Sequence, residues 1–169
     1  LAGCSTGNPP TATSPSDGAP EVLAPGIRLP AGAAIAISAR PLTKPAGTPQ
    51  VKEKGIGPRG GRLTVINGRS LVHFKVPRGA LVQDKLIRME VTGSGPSTQV
   101  RLGPAGLQFP KSCTLVITFS RGDTDPEDLG GYLIGEDGTA TPVSSTVQVL
   151  GDWVIVKFAI DHFSIYAPD

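Results

Sequence analysis

From about Gly60 to its last residue the chain is written in short runs of apolar and β-branched residues, each closed by a turn signal, and that punctuation leaves little choice but strands. Leu63-Thr64-Val65-Ile66 and Leu71-Val72-His73-Phe74-Lys75-Val76 flank Asn67-Gly68, a pair that readily takes the two positive φ values of a type I′ hairpin. Further runs follow at 86–91, 113–119, 131–134, 147–150, 153–160 and 163–167, with Gly151-Asp152 joining two of them tightly. Several short strands at this spacing predict an all-β fold, a single antiparallel β-sandwich. Val154, Val156 and Phe158 alternate and are expected in its core, with Trp153 partly covered. Roughly 110 residues bury enough apolar surface to fold alone, so the domain is placed at 56–169 without a second domain or a disulfide network.

The residues before it have another texture. The 22 Gly and 17 Pro of the 169-residue chain are too many for a uniformly packed protein. Residues 5–24 are mostly Ser, Thr, Gly, Pro and Ala, with almost no large apolar side chain and no period of 2 or 3.6, so they build no core. The whole span 5–55 reads as a disordered, flexible linker that holds the domain about 40 Å from residue 4. Within it, Ala34-Ile35-Ala36-Ile37-Ser38 offers one extra edge strand near 33–39, limited in length by Pro30 and Pro41. Sixteen Lys and Arg stand against 14 Asp and Glu, which gives no electrostatic footprint for nucleic acid. No run approaches the roughly 20 apolar residues of a membrane-crossing helix, so attachment to a bilayer requires a covalent lipid or a partner.

Leu1-Ala2-Gly3-Cys4 resembles the lipobox of bacterial lipoprotein precursors, in which a small residue precedes the cysteine that receives lipid. The resemblance implies a diacylglycerol on the Cys4 thiol, a signal peptide cut between Gly3 and Cys4, and a fatty acid such as palmitate on the new amino group. Residues 1–4 are then a remnant and the lipidation site, with the rest of the signal ahead of Leu1. One acyl chain holds a protein to a bilayer only marginally, whereas two or three, at about 0.8 kcal/mol per buried CH₂, hold it durably. A polar, Pro-rich stretch directly after the cysteine suits a tether. The plainer account is an accidental start to an ordinary secreted chain. Ser5, rather than Asp, after the lipidated cysteine is compatible with the outer membrane or cell surface of the envelope rather than retention at the inner membrane.

A second resemblance covers nearly all of 60–169. Gly60-Gly61-Arg62-Leu63, Val76-Pro77-Arg78-Gly79-Ala80-Leu81, Gly103-Pro104-Ala105-Gly106-Leu107-Gln108-Phe109 and His162-Phe163-Ser164-Ile165-Tyr166-Ala167 are similar, in order, to motifs of the ZU-five domain. That β-sandwich is shared by zonula occludens proteins, netrin receptors and ankyrins, with related copies in bacterial envelope proteins. The physical reading agrees, since Pro77 and Gly79 end a strand and 103–106 turn the chain into Leu107 and Phe109. Ser112 and Cys113 depart from the pattern, where the family often shows Pro and an apolar residue.

Some animal members of that family cut their own chain at a sequence resembling His162-Phe163-Ser164. The implied chemistry is an N-to-O acyl shift in which Ser164 Oγ attacks the Phe163 carbonyl and His162 takes the hydroxyl proton, after which the ester is hydrolysed. The bland alternative is a last strand with Phe163, Ile165 and Ala167 on one face and His162, Ser164 and Tyr166 on the other. His73 and His162 have no third ligand at a suggestive spacing, so no metal is expected. Asp123, Asp125, Glu127 and Asp128 cluster in one loop but lack the turn glycine and closing glutamate of an EF-hand, and they read as a solvated acidic loop. Arg121-Gly122-Asp123, an adhesion-type tripeptide in that loop, carries little weight. Cys113, without a partner once Cys4 is lipidated, reads as a buried and inert thiol, with an intermolecular disulfide as the alternative.

The expectation is therefore a lipid-anchored cell-envelope protein whose β-sandwich is a non-enzymatic binding or structural module. It meets the membrane through Cys4 and a protein or envelope polymer through the domain, with no cofactor, no metal and no nucleic acid. The alternative is an autoproteolytic domain cleaving itself between Phe163 and Ser164.

Overall fold

The computed structural model describes residues 26–29, 31–38, 47–122, 124–135 and 137–163. Cys4, the stretch 5–25, Asp123 and the segment 164–169, with Ser164, Ile165, Tyr166 and Ala167, lie outside the described residues.

The alternating runs become strands in chain order. The first are β1 (Ile27–Leu29), β2 (Ala34–Ser38) and β3 (Gln50–Ile56). Then come β4 (Gly61–Asn67), β5 (Ser70–Val76), β6 (Lys85–Thr92), β7 (Gln99–Gly103) and β8 (Gln108–Ser120). β9 (Gly130–Ile134), β10 (Ala140–Val143), β11 (Thr146–Leu150) and β12 (Trp153–Phe163) complete the set. Among the described residues the helical turns are two 3-10 turns, Gly95–Ser97 and Pro126–Asp128.

The strands form two sheets stacked as the expected all-β sandwich. One has the order β1-β12-β8-β5-β4, with β11 also against β12, and the other the order β10-β9-β2-β7-β6-β3. β12 runs antiparallel to β8 with Val154 opposite Phe119, Val156 opposite Ile117, Phe158 opposite Leu115 and Ile160 opposite Cys113. All eight are buried, and Val72 and Phe74 of β5 continue the same face. Ile35, Ile37, Ile87, Met89 and Val91 of the facing sheet close the core against them. Each such side chain contributes about 1.5–3 kcal/mol when removed from water, so the two inner faces hold the sandwich together.

Three elements differ from what the sequence suggests. First, β1 and all of β3 but Ile56 fall inside the span 5–55 read as linker, and β2, the extra strand offered near 33–39, is present but is no edge strand, since it lies between β9 and β7. Residues 33–37 are buried throughout, so β2 reads as a continuous apolar run rather than an alternating one, and a run that short carries no clear period. β3 hides for the opposite reason, because only Ile56 of its seven residues is buried. Second, the β4–β5 register pairs Asn67 with Ser70, so the loop residues are Gly68 and Arg69. Gly68 has φ +56° and among the described residues no non-glycine residue has positive φ, which makes a type II′ turn with glycine first instead of a type I′ turn on Asn67-Gly68. Asn67 instead donates its Nδ2 hydrogens to the carbonyls of Val91 and Gly93, at 3.2 and 3.0 Å. Third, β12 continues through His162 and Phe163 rather than stopping near residue 160 before a separate final strand. A register shift between Ile160 and His162 moves burial from even to odd positions, which hides the continuity from a period-2 reading.

A polar seam ties the sheets together near Asn67. Ser70 Oγ lies 2.6 Å from Thr98 Oγ1 and accepts from the Gly95 amide at 2.7 Å. The Thr98 hydroxyl donates to the Gly95 carbonyl at 2.8 Å, so the Ser70 hydroxyl must be the donor between the two side chains. Both residues are buried, and each hydroxyl spends its single hydrogen on a protein acceptor. Ser70→Ala leaves the Gly95 amide without its acceptor and removes the bond that Thr98 accepts, while the Thr98 hydroxyl keeps the Gly95 carbonyl, and it is expected to cost about 1–3 kcal/mol in urea unfolding. A change within about 0.5 kcal/mol of wild type contradicts this account of the seam.

Candidate functional site

His162 and Phe163 end β12, where the parallel strand β1 sets Arg28 opposite His162 and Leu29 opposite Phe163. On the other side the Phe163 amide donates to the Leu107 carbonyl at 2.7 Å, and the Phe163 carbonyl accepts from the Gly106 amide at 2.5 Å. Gly106, with φ +84°, and Leu107 thus oppose one residue in a G1-type bulge, a left-handed position that suits glycine. The Phe163 ring is buried against Phe109, with centroids 5.0 Å apart at 81°, and Phe74, 5.8 Å away at 40°. The chain therefore holds the carbonyl of the 163–164 peptide by one backbone donor. The described residues bring together two members of the His162, Phe163, Ser164 trio, and Ser164 lies outside them. Beside Gly106 opens a groove of about 560 Å³, walled mainly by Leu81, Val82, Leu107, Phe109 and Pro110.

His73 is distant from this corner. Its Nδ1 lies 2.8 Å from Thr64 Oγ1, and its row of the sheet crosses β12 at Lys157. Five residues along the strand and two strands across separate it from His162, on the order of 19 Å, so the two imidazoles share no ligand. Burial and then the nearby Arg62 guanidinium lower the His73 pKa. Among the described residues no three His, Cys, Asp or Glu side chains come together as a metal-binding group. In the acidic loop Asp125 is engaged locally, its Oδ1 accepting from the Glu127 amide at 3.1 Å to cap the 3-10 turn. Arg121 and Gly122 line a polar cleft with Thr124, Asp125 and Asp152, and Asp123 lies outside the described residues.

Cys113 is a free thiol with no exposed surface, set between Ile160 and the facing sheet. Burial, and then the Asp161 charge, push its pKa up to about 12, so it stays protonated and is no nucleophile at neutral pH.

The sheet edges differ in how they are guarded. β3 carries Lys52, Glu53 and Lys54, β10 carries Pro142, and the edge of β4 faces β3, where the Lys54 ammonium donates to the Arg62 carbonyl at 3.2 Å. Charge and proline of this kind block the addition of a further strand. β11, Thr-Val-Gln-Val-Leu, has neither. In its two-residue hairpin with β12, Leu150 and Trp153 flank the loop as a hydrogen-bonded pair. The amides and carbonyls of Val147 and Val149 therefore point away from β12 to the open side. Outside this edge Leu150, Trp153 and, across the sheet, Ile66 are exposed by 69%, 51% and 68%. Sequence reading places Trp153 only as partly covered and passes over Leu150 and Ile66, because Leu and Ile mark either face of a strand equally and only the register tells which face is outermost.

The fold and these surfaces define a two-sheet β-sandwich domain with one unguarded edge. No family model, curated protein or solved structure matches the chain.

Cys113 generates a pH dependence. Its folded pKa is raised, so its contribution is fully present below the ordinary thiol value of 9.0 and is lost as pH climbs toward about 12. Stability should fall across that window with an added slope of up to about 1.4 kcal/mol per pH unit, absent in Cys113→Ala. Equal alkaline slopes for the two proteins in urea titrations contradict the assignment.

Proposed function

We propose that the chain is a bacterial lipoprotein of the cell envelope, anchored by acyl chains on Cys4, with a ZU-five-like sandwich that works as a non-enzymatic binding or structural module. The observation that carries the binding role is the β11 edge, the one described edge strand with neither charge nor proline. An extended segment of a protein partner pairs with the outward amides and carbonyls of Val147 and Val149, in the manner of β-augmentation. The lipobox-like Leu1-Ala2-Gly3-Cys4 and the Pro-rich stretch after it support the anchor, and Ser5 favours the outer membrane or cell surface. In cells, labelled fatty acid should enter the wild-type precursor and not Cys4→Ala, and the wild type should fractionate with membranes. Val149→Pro, whose lost amide hydrogen faces away from β12, should keep the melting transition and lose the partner cross-linked to wild type in envelopes. Unlabelled precursor sinks the anchor, and an unchanged partner in Val149→Pro sinks the edge.

A second reading, self-cleavage, is favoured by one contact, the Gly106 amide on the Phe163 carbonyl, placed where an oxyanion would need a donor. Ser164 Oγ bonds to the Phe163 carbonyl carbon as the amide C–N bond breaks, His162 carries the proton to the freed amine, and water then hydrolyses the ester. Purified, denatured protein should then lack the mass of residues 164–169, and Ser164→Ala should restore it. An intact full-length mass ends this reading.

A further inference from the structure

The outward face of the sheet built from β11, β12, β8, β5 and β4 sorts by chemistry along its strands. At one end the register sets Trp153 beside Leu150, and the next row carries Ile155, Leu71 and Ile66. Two residues further on, the row holds Lys157, and two more bring Lys75 beside Arg62. From the Trp153 row to the Ala159 row no position on this face is a carboxylate. Acids border those rows, Asp152 in the hairpin turn, Asp161 beyond Ala159, where it accepts from the Ser112 hydroxyl, and Glu53 of β3 beside the Arg62 edge, where it pairs with Arg88 of the other sheet. At about 3.4 Å per residue, the cationic band begins roughly 14 Å from the Trp153 row and ends roughly 20 Å from it.

We propose that this face docks on an anionic lipid surface, the Trp153 end dipping into the headgroup layer and Lys157, Lys75 and Arg62 meeting lipid phosphates. Charge complementarity selects the occupant. A cationic band without carboxylates matches a phosphate-rich plane, and a second copy of this face offers no acid to meet it. Tryptophan favours the headgroup level, and exposed Leu and Ile beside it gain from the headgroup–acyl boundary. Basic residues near such a surface contribute through its negative potential, and their aliphatic stems let the charged heads reach the phosphates while the apolar end sinks. The inference rests on the lipid-anchor reading for proximity to a bilayer alone.

Trp153 is the chain's one tryptophan, so its emission reports from the proposed contact. The test uses the full chain as Cys4→Ser, which carries no acyl group, mixed with vesicles of pure phosphatidylglycerol or pure phosphatidylcholine. Phosphatidylglycerol alone should shift the emission to the blue and carry the protein upward on flotation, and added salt should reverse both. Lys157→Gln and Lys75→Gln, on exposed or half-exposed sites, should each weaken partition about fivefold. Leu150→Ser should weaken it with an unchanged circular dichroism spectrum. The proposal is overturned by an unshifted emission with phosphatidylglycerol, by equal shifts with both lipids, or by a shift that grows with protein concentration in the absence of vesicles, which marks self-association. Since this protein lacks the anchor, its result is independent of fatty-acid labelling at Cys4, and either can fail alone.

Discussion

The antiparallel register of β12 against β8 is the constraint on which the rest of the molecule depends. It aligns Val154, Val156, Phe158 and Ile160 with Phe119, Ile117, Leu115 and Cys113 on the inner face. A slip of one residue sends that whole set to water and brings Trp153, Ile155 and Lys157 inside, where the lysine ammonium has no partner. The register is therefore strongly fixed, and it determines the outer surface as fully as the core. The apolar-to-cationic gradient of the outward face and the buried state of Cys113 are both consequences of that one alignment.

Hydrophobic burial is not directional, so it brings the two sheets together without setting their offset. One set of directional contacts fixes that offset, and a second fastens strands within a single sheet. Ser70, Thr98 and Gly95 close a hydrogen-bonded seam that Asn67 extends to the Val91 and Gly93 carbonyls, fastening the β4–β5 hairpin to the turn between β6 and β7. Some 13 Å along β5, Phe74 meets Phe109 and Phe163, and the tilted and edge-on rings lock the end of β12 to the start of β8. The Gly106 bulge belongs to this second fastening, since it lets the chain turn into β8 while still bonding both backbone groups of Phe163.

The parts of this arrangement that were legible in the sequence are those decided by neighbours along the chain. The two hairpins, the alternation of β12 and the burial of Cys113 follow from turn residues and period-2 patterning within about ten residues. What was illegible depends on distant partners. β2 is buried only because β7 and β9 flank it and the other sheet faces it, so its Ala and Ile run between prolines suggested no more than an extra edge strand. The turn type at Gly68 was set by a one-residue difference in pairing, itself fixed by Asn67 reaching across to Val91 and Gly93. The end of β12 was lost to a shift in phase at Ile160. At the candidate sites, sequence identified His162 and Phe163 as neighbours on a strand but gave no sign of the Gly106 donor, and the outward face became visible only once the register had ordered its rows.

The unguarded β11 edge and the apolar end of the outward face meet at Leu150, and together they pose a physical problem for a freely diffusing protein. An open, uncharged edge strand templates the addition of another chain, and apolar side chains beside it favour nonspecific contact. Both leave apolar surface uncovered, since Val149 and Trp153 stay about half exposed and Leu150 more so. Elsewhere the same domain guards its edges with Lys52, Glu53, Lys54 and Pro142, which shows that the fold accommodates such protection without loss of pairing. An edge left open where the others are closed is best explained by an occupant. Under the lipid-anchor proposal the two exposed features divide the work, the face resting against the bilayer that the Cys4 acyl chains hold nearby while the edge remains turned sideways to receive a strand.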